Sequence, residues 1–294
     1  MSHRSLLVPK HALVVEGGAM RGIFAAGVLD AFLAKRFNPF DFVIGVSAGS
    51  TNSVGYLCGQ EGRSHKIITE FATSHEFIDM VRWLRGGHFC DVQWLWRQSF
   101  DDVWLDFSCY EQADVPLYVV TTSILSGRAH YIRLTKENMH DVFPASCAIP
   151  LAYRDFPTVN GEPMTDGGIA DSIPVKKAYE MGAKEITVIL SRALGYEKKP
   201  ARVRGLMKRL FKDYPDLQSA LLSRNAQYNE ALQFIKQPPA DCKINVIAPP
   251  VNFKVGRFTR NPVRLEQGYE SGVISGEHFT RSYSSDSIQS IQRV

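Results

Sequence analysis

A serine flanked two residues away on each side by glycine, Gly45-Val46-Ser47-Ala48-Gly49, follows an apolar run from Asp41 to Gly45. A serine at the tip of a tight strand-to-helix turn needs small neighbours, because two backbones approach closely there. Its hydroxyl then points outward near the positive end of the following helix. The chemistry that suits this arrangement is nucleophilic acyl transfer. The five residues alone also fit an ordinary glycine-rich turn; the strand before them and the small Ala48 after the serine favour the nucleophile.

A second cluster, Glu16-Gly17-Gly18-Ala19-Met20-Arg21-Gly22, follows another apolar run, Ala12 to Glu16. Successive N–H groups in such a loop, leading into a helix, form a concavity for negative charge and would suit an oxyanion. A phosphate-binding loop is the competing reading, since Gly17 and Gly22 have its outer spacing. Ile23 and Phe24 stand where that loop needs lysine and a hydroxyl, and the dinucleotide pattern G-x-G-x-x-G is also unmet. A third motif, Asp166-Gly167-Gly168, follows the turn-like pair Asn160-Gly161; alone, an aspartate before two glycines reads as a turn.

The elements that must position these residues alternate between buried strands and helices. Residues 12–16, 41–45, 117–124 and 185–190 read as strands; 23–37, 48–58 and 174–181 read as helices. This alternation predicts an α/β fold, a mostly parallel central sheet with helices on both faces. Beyond Gly195 the pattern turns helical and basic, with a strand-like run near Ile244 and a final helix after Asn261. The expected organisation is a core over 10–195 and a mainly helical portion over 196–294 packed on it.

The glycine loop at 16–22, the pentapeptide at 45–49, Ala145-Ser146-Cys147-Ala148-Ile149-Pro150 and Asp166-Gly167-Gly168 stand in the order and approximate spacing of the patatin-like phospholipases. The resemblance, closest to a bacterial-type branch, spans about Ala12 to Leu190. It implies a three-layer sandwich and a serine lipid acyl hydrolase of the phospholipase A or lysophospholipase type, with neither metal nor organic cofactor. By that resemblance Ser47 is the nucleophile, Asp166 its dyad partner, and the amides of Gly17, Gly18 and Ala19 the oxyanion hole. Arg21 closes the glycine loop, while Gly22, Gly45, Gly49, Gly167 and Gly168 support these positions. Two residues depart from the family pattern: Glu16 stands where aspartate is frequent, and Ala19 replaces the third glycine. Ala19 keeps its N–H, so the expected cost is a narrower backbone range.

Two alternatives remain. One is an α/β-hydrolase-type esterase with a Ser-Asp-His triad, for which His278 has the right chain order. A serine only 47 residues from the start leaves little room for the strands that precede such a turn, and His278 reads as a solvated residue. The other is a catalytically silent lipid- or membrane-binding protein of the same fold.

Composition narrows the partners. The 294 residues are 45% hydrophobic and 22% charged, within the globular range. The start lacks a secretory apolar core, and no window approaches a membrane span. Five widely spaced cysteines without a C-x-x-C pair fit a reducing compartment. The expected location is therefore cytoplasmic, at most peripheral to a membrane. A net charge of +4 is too small to argue for nucleic acid. Seven of the basic residues fall between Lys198 and Lys212, among Val203, Leu206, Met207, Leu210 and Phe211 at helical spacing. Such a segment fits either an anionic membrane surface or packing on the sheet. All four tryptophans fall between Trp83 and Trp104, and that stretch fits either core packing or the wall or lid of an acyl-chain pocket.

Overall fold

The computed structural model describes residues 10–199, Gly205 and 209–291, with side chains as far as Ser284. Its centre is an eight-stranded sheet in the order β5-β6-β3-β2-β1-β7-β8, with β4 also paired to β3. The strands are β1 (Lys10–Val15), β2 (Phe42–Val46), β3 (Leu117–Ser123), β4 (Ala129–Arg133), β5 (Thr158–Val159), β6 (Glu162–Asp166), β7 (Ala183–Ile189) and β8 (Lys243–Ile247). The pairings β3-β2, β2-β1, β1-β7 and β7-β8 are parallel. The pairings of β3 with β4 and β6, and of β5 with β6, are antiparallel.

β1 and β2 are apolar and β-branched on both faces, as strands between two helical layers must be, and every residue from His11 to Val15 and from Phe42 to Val46 is buried. The helices over these faces are α1 (Gly22–Ala34), α2 (Ala48–Leu57), α3 (Arg63–Lys66), α4 (Met80–Leu84), α5 (Val92–Asp102), α6 (Phe107–Ala113), α7 (Met139–Cys147), α8 (Val175–Glu180), α9 (Pro215–Lys236) and α10 (Pro262–Ile291). One core layer joins Leu13, Phe24, Phe32, Val43, Leu117 and Phe143. The other joins Ala12, Val14, Ile44, Val120, Val188 and Tyr228. The fold is thus mixed α/β with helices on both sides of the sheet, as the alternation of segments predicts.

α1 is apolar around its whole circumference because it lies between the sheet and α10. The two helices meet along glycines. A Cβ on Gly27 would stand 2.2 Å from the Tyr269 carbonyl oxygen, and one on Gly272 2.1 Å from that of Phe24. Across the same contact the Tyr269 hydroxyl donates to Asp30 Oδ2 at 2.8 Å, providing for a carboxylate buried on α1.

Most of the basic segment at 198–212, namely 200–204 and 206–208, lies outside the described residues. Its ends differ from a row of solvated cations: Phe211 is buried beside Ile124 and Leu217, and Lys198 turns inward with Nζ 3.7 Å from the centre of the Tyr228 ring. The tryptophan-rich stretch divides between packing, a cavity wall and the surface. Trp96 packs on Phe143 with ring centres 4.7 Å apart and also lines a cavity, while Trp104 is exposed.

Gly272→Ala tests the helix seam. Alanine's helix propensity favours the variant by about 1 kcal/mol, but a methyl at 2.1 Å from a backbone oxygen forces the helices apart at about 1–3 kcal/mol or more. The urea midpoint should fall; an unchanged or higher midpoint would contradict the close approach.

Candidate functional site

The register of β3 explains why residues distant in sequence meet. Val46, the last residue of β2, pairs with Val120, and Asp166, the last residue of β6, pairs with the next residue, Thr121. Ser47 follows Val46, so serine and aspartate emerge at one end of the sheet. β1 ends with Val15 opposite Gly45, which brings the loop from Glu16 to Gly22 alongside.

Ser47 has φ +52° and ψ −128°, a conformation rarely taken by an L-residue. The turn closes by tight contacts. A Cβ on Gly45 would lie 2.5 Å from Ser50 Cα, and one on Gly49 2.4 Å from the Val15 oxygen. Ser50 Oγ donates to the Ser47 carbonyl at 2.6 Å. Ser146 Oγ accepts the Ser47 N–H at 2.9 Å and donates to the Val120 carbonyl at 2.7 Å, tying the turn to β3.

Asp166 is 4% exposed, and its Oδ1 accepts the Gly168 N–H at 2.8 Å. Gly167 lies where a Cβ would be 2.1 Å from the Val120 oxygen, so the chain after Asp166 turns against β3 with no side chain between. Burial pushes the Asp166 carboxyl above its ordinary 3.8, against the opposing effects of Arg224, the Ser47 hydroxyl, the Gly168 N–H and Arg257. Cys147, half-buried beside the pair, has its thiol pushed up to about 12 by desolvation, reinforced by the charge of Asp166.

The glycine loop flanks this pair. Ala19 has φ +50°, a conformation natural to the glycine it replaces. Among the described residues, the N–H groups of Gly17, Gly18 and Ala19 donate to no protein acceptor. Gly22 begins α1, where Asn52 Nδ2 donates to its carbonyl at 2.8 Å. Glu16 is buried and accepts the Ser191 N–H at 2.7 Å. Arg21 is also buried: its Nε and Nη2 donate to Ser191 Oγ at 3.3 and 3.2 Å, while Nη1 has no partner among the described residues.

Two cavities meet at Ser47. The larger, with about 940 Å³ of space partly open to solvent, is walled by Ile68, Phe77, Val92, Leu95, Trp96 and Phe143. The smaller, about 410 Å³ by the same measure, is lined by Glu16, Asp166 and the side chains of Arg21, Lys198, Arg224 and Arg257. Ala19, Ser47, Ile149 and Arg257 line both. An ester carbonyl at Ser47 would therefore have an apolar chamber on one side and a cationic chamber on the other. His278 is exposed on α10 and lines neither cavity. Ser47, Asp166 and the loop at 17–19 are brought together; the histidine of the alternative triad is not.

Sequence reasoning missed Ser146, Arg224 and Arg257. Ser146 lies in a motif that the resemblance carried without a role, so its position was flagged although its bonds were not. Arg224 and Arg257 carry no local pattern; only the packing of the C-terminal third aims them at the site. No helix among the described residues is long and apolar enough to cross a membrane.

Residues 13–179 match the family model described as "Patatin-like phospholipase", and residues 214–285 match one described as "Domain of unknown function (DUF6363)". The uncharacterized protein YjjU of Escherichia coli (strain K12) is 35% identical over 274 residues, which cover 91% of this chain and 76% of YjjU. The crystal structure of VipD from Legionella pneumophila aligns with 94% of this chain and 67% of its own at a TM-score of 0.47, with 12% sequence identity.

The raised pKa of Asp166 gives a signed expectation for stability. A carboxyl whose folded pKa lies above its unfolded value favours the fold fully below about pH 4, and that contribution is lost as pH rises through the folded pKa. Asp166→Asn keeps an acceptor for Gly168 and carries no charge. Its stability relative to wild type should grow as pH rises above about 4 and level off once pH exceeds the raised folded pKa, as read by urea midpoints. A difference that does not vary with pH would contradict the burial penalty.

Proposed function

The chain belongs to the patatin-like phospholipase family, a family of lipid hydrolases, and from that membership we propose that it is a serine acyl hydrolase of the phospholipase A or lysophospholipase type, using Ser47 and Asp166. The observation that carries this reading is the meeting of three groups at the junction of two cavities: a serine that lines both, a desolvated carboxyl and a loop whose amides find no protein acceptor among the described residues.

In this mechanism the Ser47 Oγ attacks the ester carbonyl and its proton passes to the Asp166 carboxylate. The tetrahedral oxyanion is received by N–H groups of Gly17, Gly18 and Ala19. Collapse expels the alcohol, which takes the proton from Asp166 and leaves an acyl-Ser47 ester. Water then attacks that ester, again giving its proton to Asp166, and the fatty acid departs as the proton returns to Ser47.

An ordinary aspartate, with a pKa near ~3.9, is a weak base for a hydroxyl. Burial of Asp166 raises its basicity, and no histidine is needed. The remaining barrier falls on the oxyanion donors, each of which is typically worth about 10²–10³ in rate. The apolar chamber takes the acyl chain, and its wall from Phe77 to Trp96 is the stretch rich in aromatics. Peripheral contact with an anionic membrane through residues 198–212 would deliver such a substrate, and the site needs neither metal nor cofactor.

A fluorophosphonate probe tests the reading. Wild type should form a covalent adduct that Ser47→Ala abolishes, and ester turnover should fall by about 10³-fold or more in Asp166→Asn while surviving in His278→Ala. Loss in His278→Ala with retention in Asp166→Asn would install the triad, and absence of any Ser47-dependent adduct would favour a silent lipid-binding protein.

A further inference from the structure

Three guanidiniums and an amine crowd the smaller cavity, against two carboxyls. Arg21, Lys198, Arg224 and Arg257 line it, against the carboxyls of Glu16 and Asp166. Glu16 already accepts the Ser191 N–H. Asp166 is turned to Gly168 and Ser47. Arg224 spends its Nε on the Gly168 carbonyl at 2.6 Å. Among the described residues the Arg257 guanidinium has no hydrogen-bond or ion-pair partner, and Arg21 Nη1 is buried with none, on a side chain only 4% exposed. A buried guanidinium N–H without an acceptor is costly; Arg21 Nη1 is such a donor, and with the half-buried Arg257 guanidinium beside it the cavity offers an anion two unused donor groups.

The cations also repel one another. Burial, followed by the neighbouring Arg224, pushes Lys198 down to about 6, with Arg257 and Arg21 adding to the effect. Burial lowers Arg21 to about 10, opposed by Glu16 and reinforced by Arg192 and Arg257. An incoming anion would relieve this repulsion and hydrogen-bond the vacant donors at once.

We propose that Arg21, Lys198, Arg224 and Arg257 form a phosphate subsite beside Ser47 that receives the headgroup phosphate of an anionic acyl-glycerol ester. The proposal rests on the reading of Ser47 as the acyl-accepting nucleophile and deepens it by naming the substrate class. Ser47 lies on both cavities, so an acyl chain in the apolar chamber and a phosphate among the arginines would place the ester linkage between them at the hydroxyl. The phosphate oxygens match the planar, forked donors of three arginines. A headgroup cation would meet like charge, which favours a compact anionic headgroup. The subsite also gives a role to the C-terminal third: Arg224 on α9 and Arg257 before α10 lie within the match of unknown function, and both line the cavity beside Ser47.

The test compares kcat/KM on oleoyl-glycerol phosphate with that on oleoyl-glycerol, which has the same acyl chain and no phosphate. Wild type should prefer the phosphate ester by about tenfold or more, and the ratio should fall by a similar factor in Arg257→Gln and in Lys198→Met. Circular dichroism shows which variants are folded, and two variants from different elements keep the test intact if one is not. An absent preference, or a ratio unchanged in both variants, overturns the subsite while Ser47-dependent turnover leaves the hydrolase reading standing.

If neither ester is turned over and no adduct forms on Ser47, the hydrolase reading fails and the subsite is judged by calorimetry with inorganic phosphate. Saturable binding weakened about tenfold in both variants upholds the phosphate site, and no such binding overturns it. Binding of the free ion by a protein that turns over both esters equally would assign the site to inorganic phosphate and overturn the headgroup role.

Discussion

Ser47 keeps a side chain at a backbone conformation, φ +52°, that costs a non-glycine residue about 1–3 kcal/mol. The surrounding structure must supply that energy, and its means of doing so set much of the local architecture. Gly45 and Gly49 let β2, α2 and the end of β1 approach to distances that a single methyl would prevent. Ser146 then holds the Ser47 amide to β3 through one hydroxyl. The strain is local and the restraint comes from three separate elements. The serine is thereby fixed in position while its hydroxyl faces the cavities.

The same restraint controls electrostatics. Because β3 pairs with β2 and β6 at successive residues, the carboxyl of Asp166 arrives beside the hydroxyl in a buried environment. Burial penalises its charge and makes it a stronger base, whereas Arg224 and Arg257 limit the penalty from one side. Desolvation is the larger effect, so the carboxyl remains above its ordinary range. The glycine loop contributes in the opposite sense, presenting positive dipoles where negative charge would develop. Hydroxyl, carboxyl and loop amides are thus brought to one place by strand register and burial, and under the proposed mechanism they serve as nucleophile, base and anion donors.

Much of this was legible in the sequence, for physical reasons that differ from residue to residue. Gly17, Gly45, Gly49 and Gly167 are readable because close backbone approach excludes every other side chain, which leaves a pattern at fixed spacing. β1, β2 and β7 are readable because two covered faces demand continuous apolar runs. β6 is not readable: Glu162-Pro163-Met164-Thr165-Asp166 has neither an apolar run nor clean alternation, and its strand state comes from pairing with β3 and from the Asn160-Gly161 turn, at φ +52° and +81°. The place of Lys198 is not readable, because composition cannot tell a solvated lysine from one packed over Tyr228. Arg224 and Arg257 were invisible, since their meeting depends on how α9 and the loop before α10 settle on the core. Ala19 was flagged as a departure, and its φ of +50° shows where the narrower range is felt.

Under the proposed mechanism the Ser47 hydroxyl, the Asp166 carboxyl and the amides at 17–19 converge on one ester carbonyl. A crystal structure of the phosphonylated protein measures this most directly, because the phosphonyl oxygen stands where the oxyanion would. The account predicts a bond from Ser47 Oγ to phosphorus, the phosphonyl oxygen within about 2.7–3.1 Å of amides from the loop at 17–19, and the Asp166 carboxyl on the flank of Ser47. A phosphonyl oxygen turned away from that loop, or phosphorus attached to any other side chain, would contradict it.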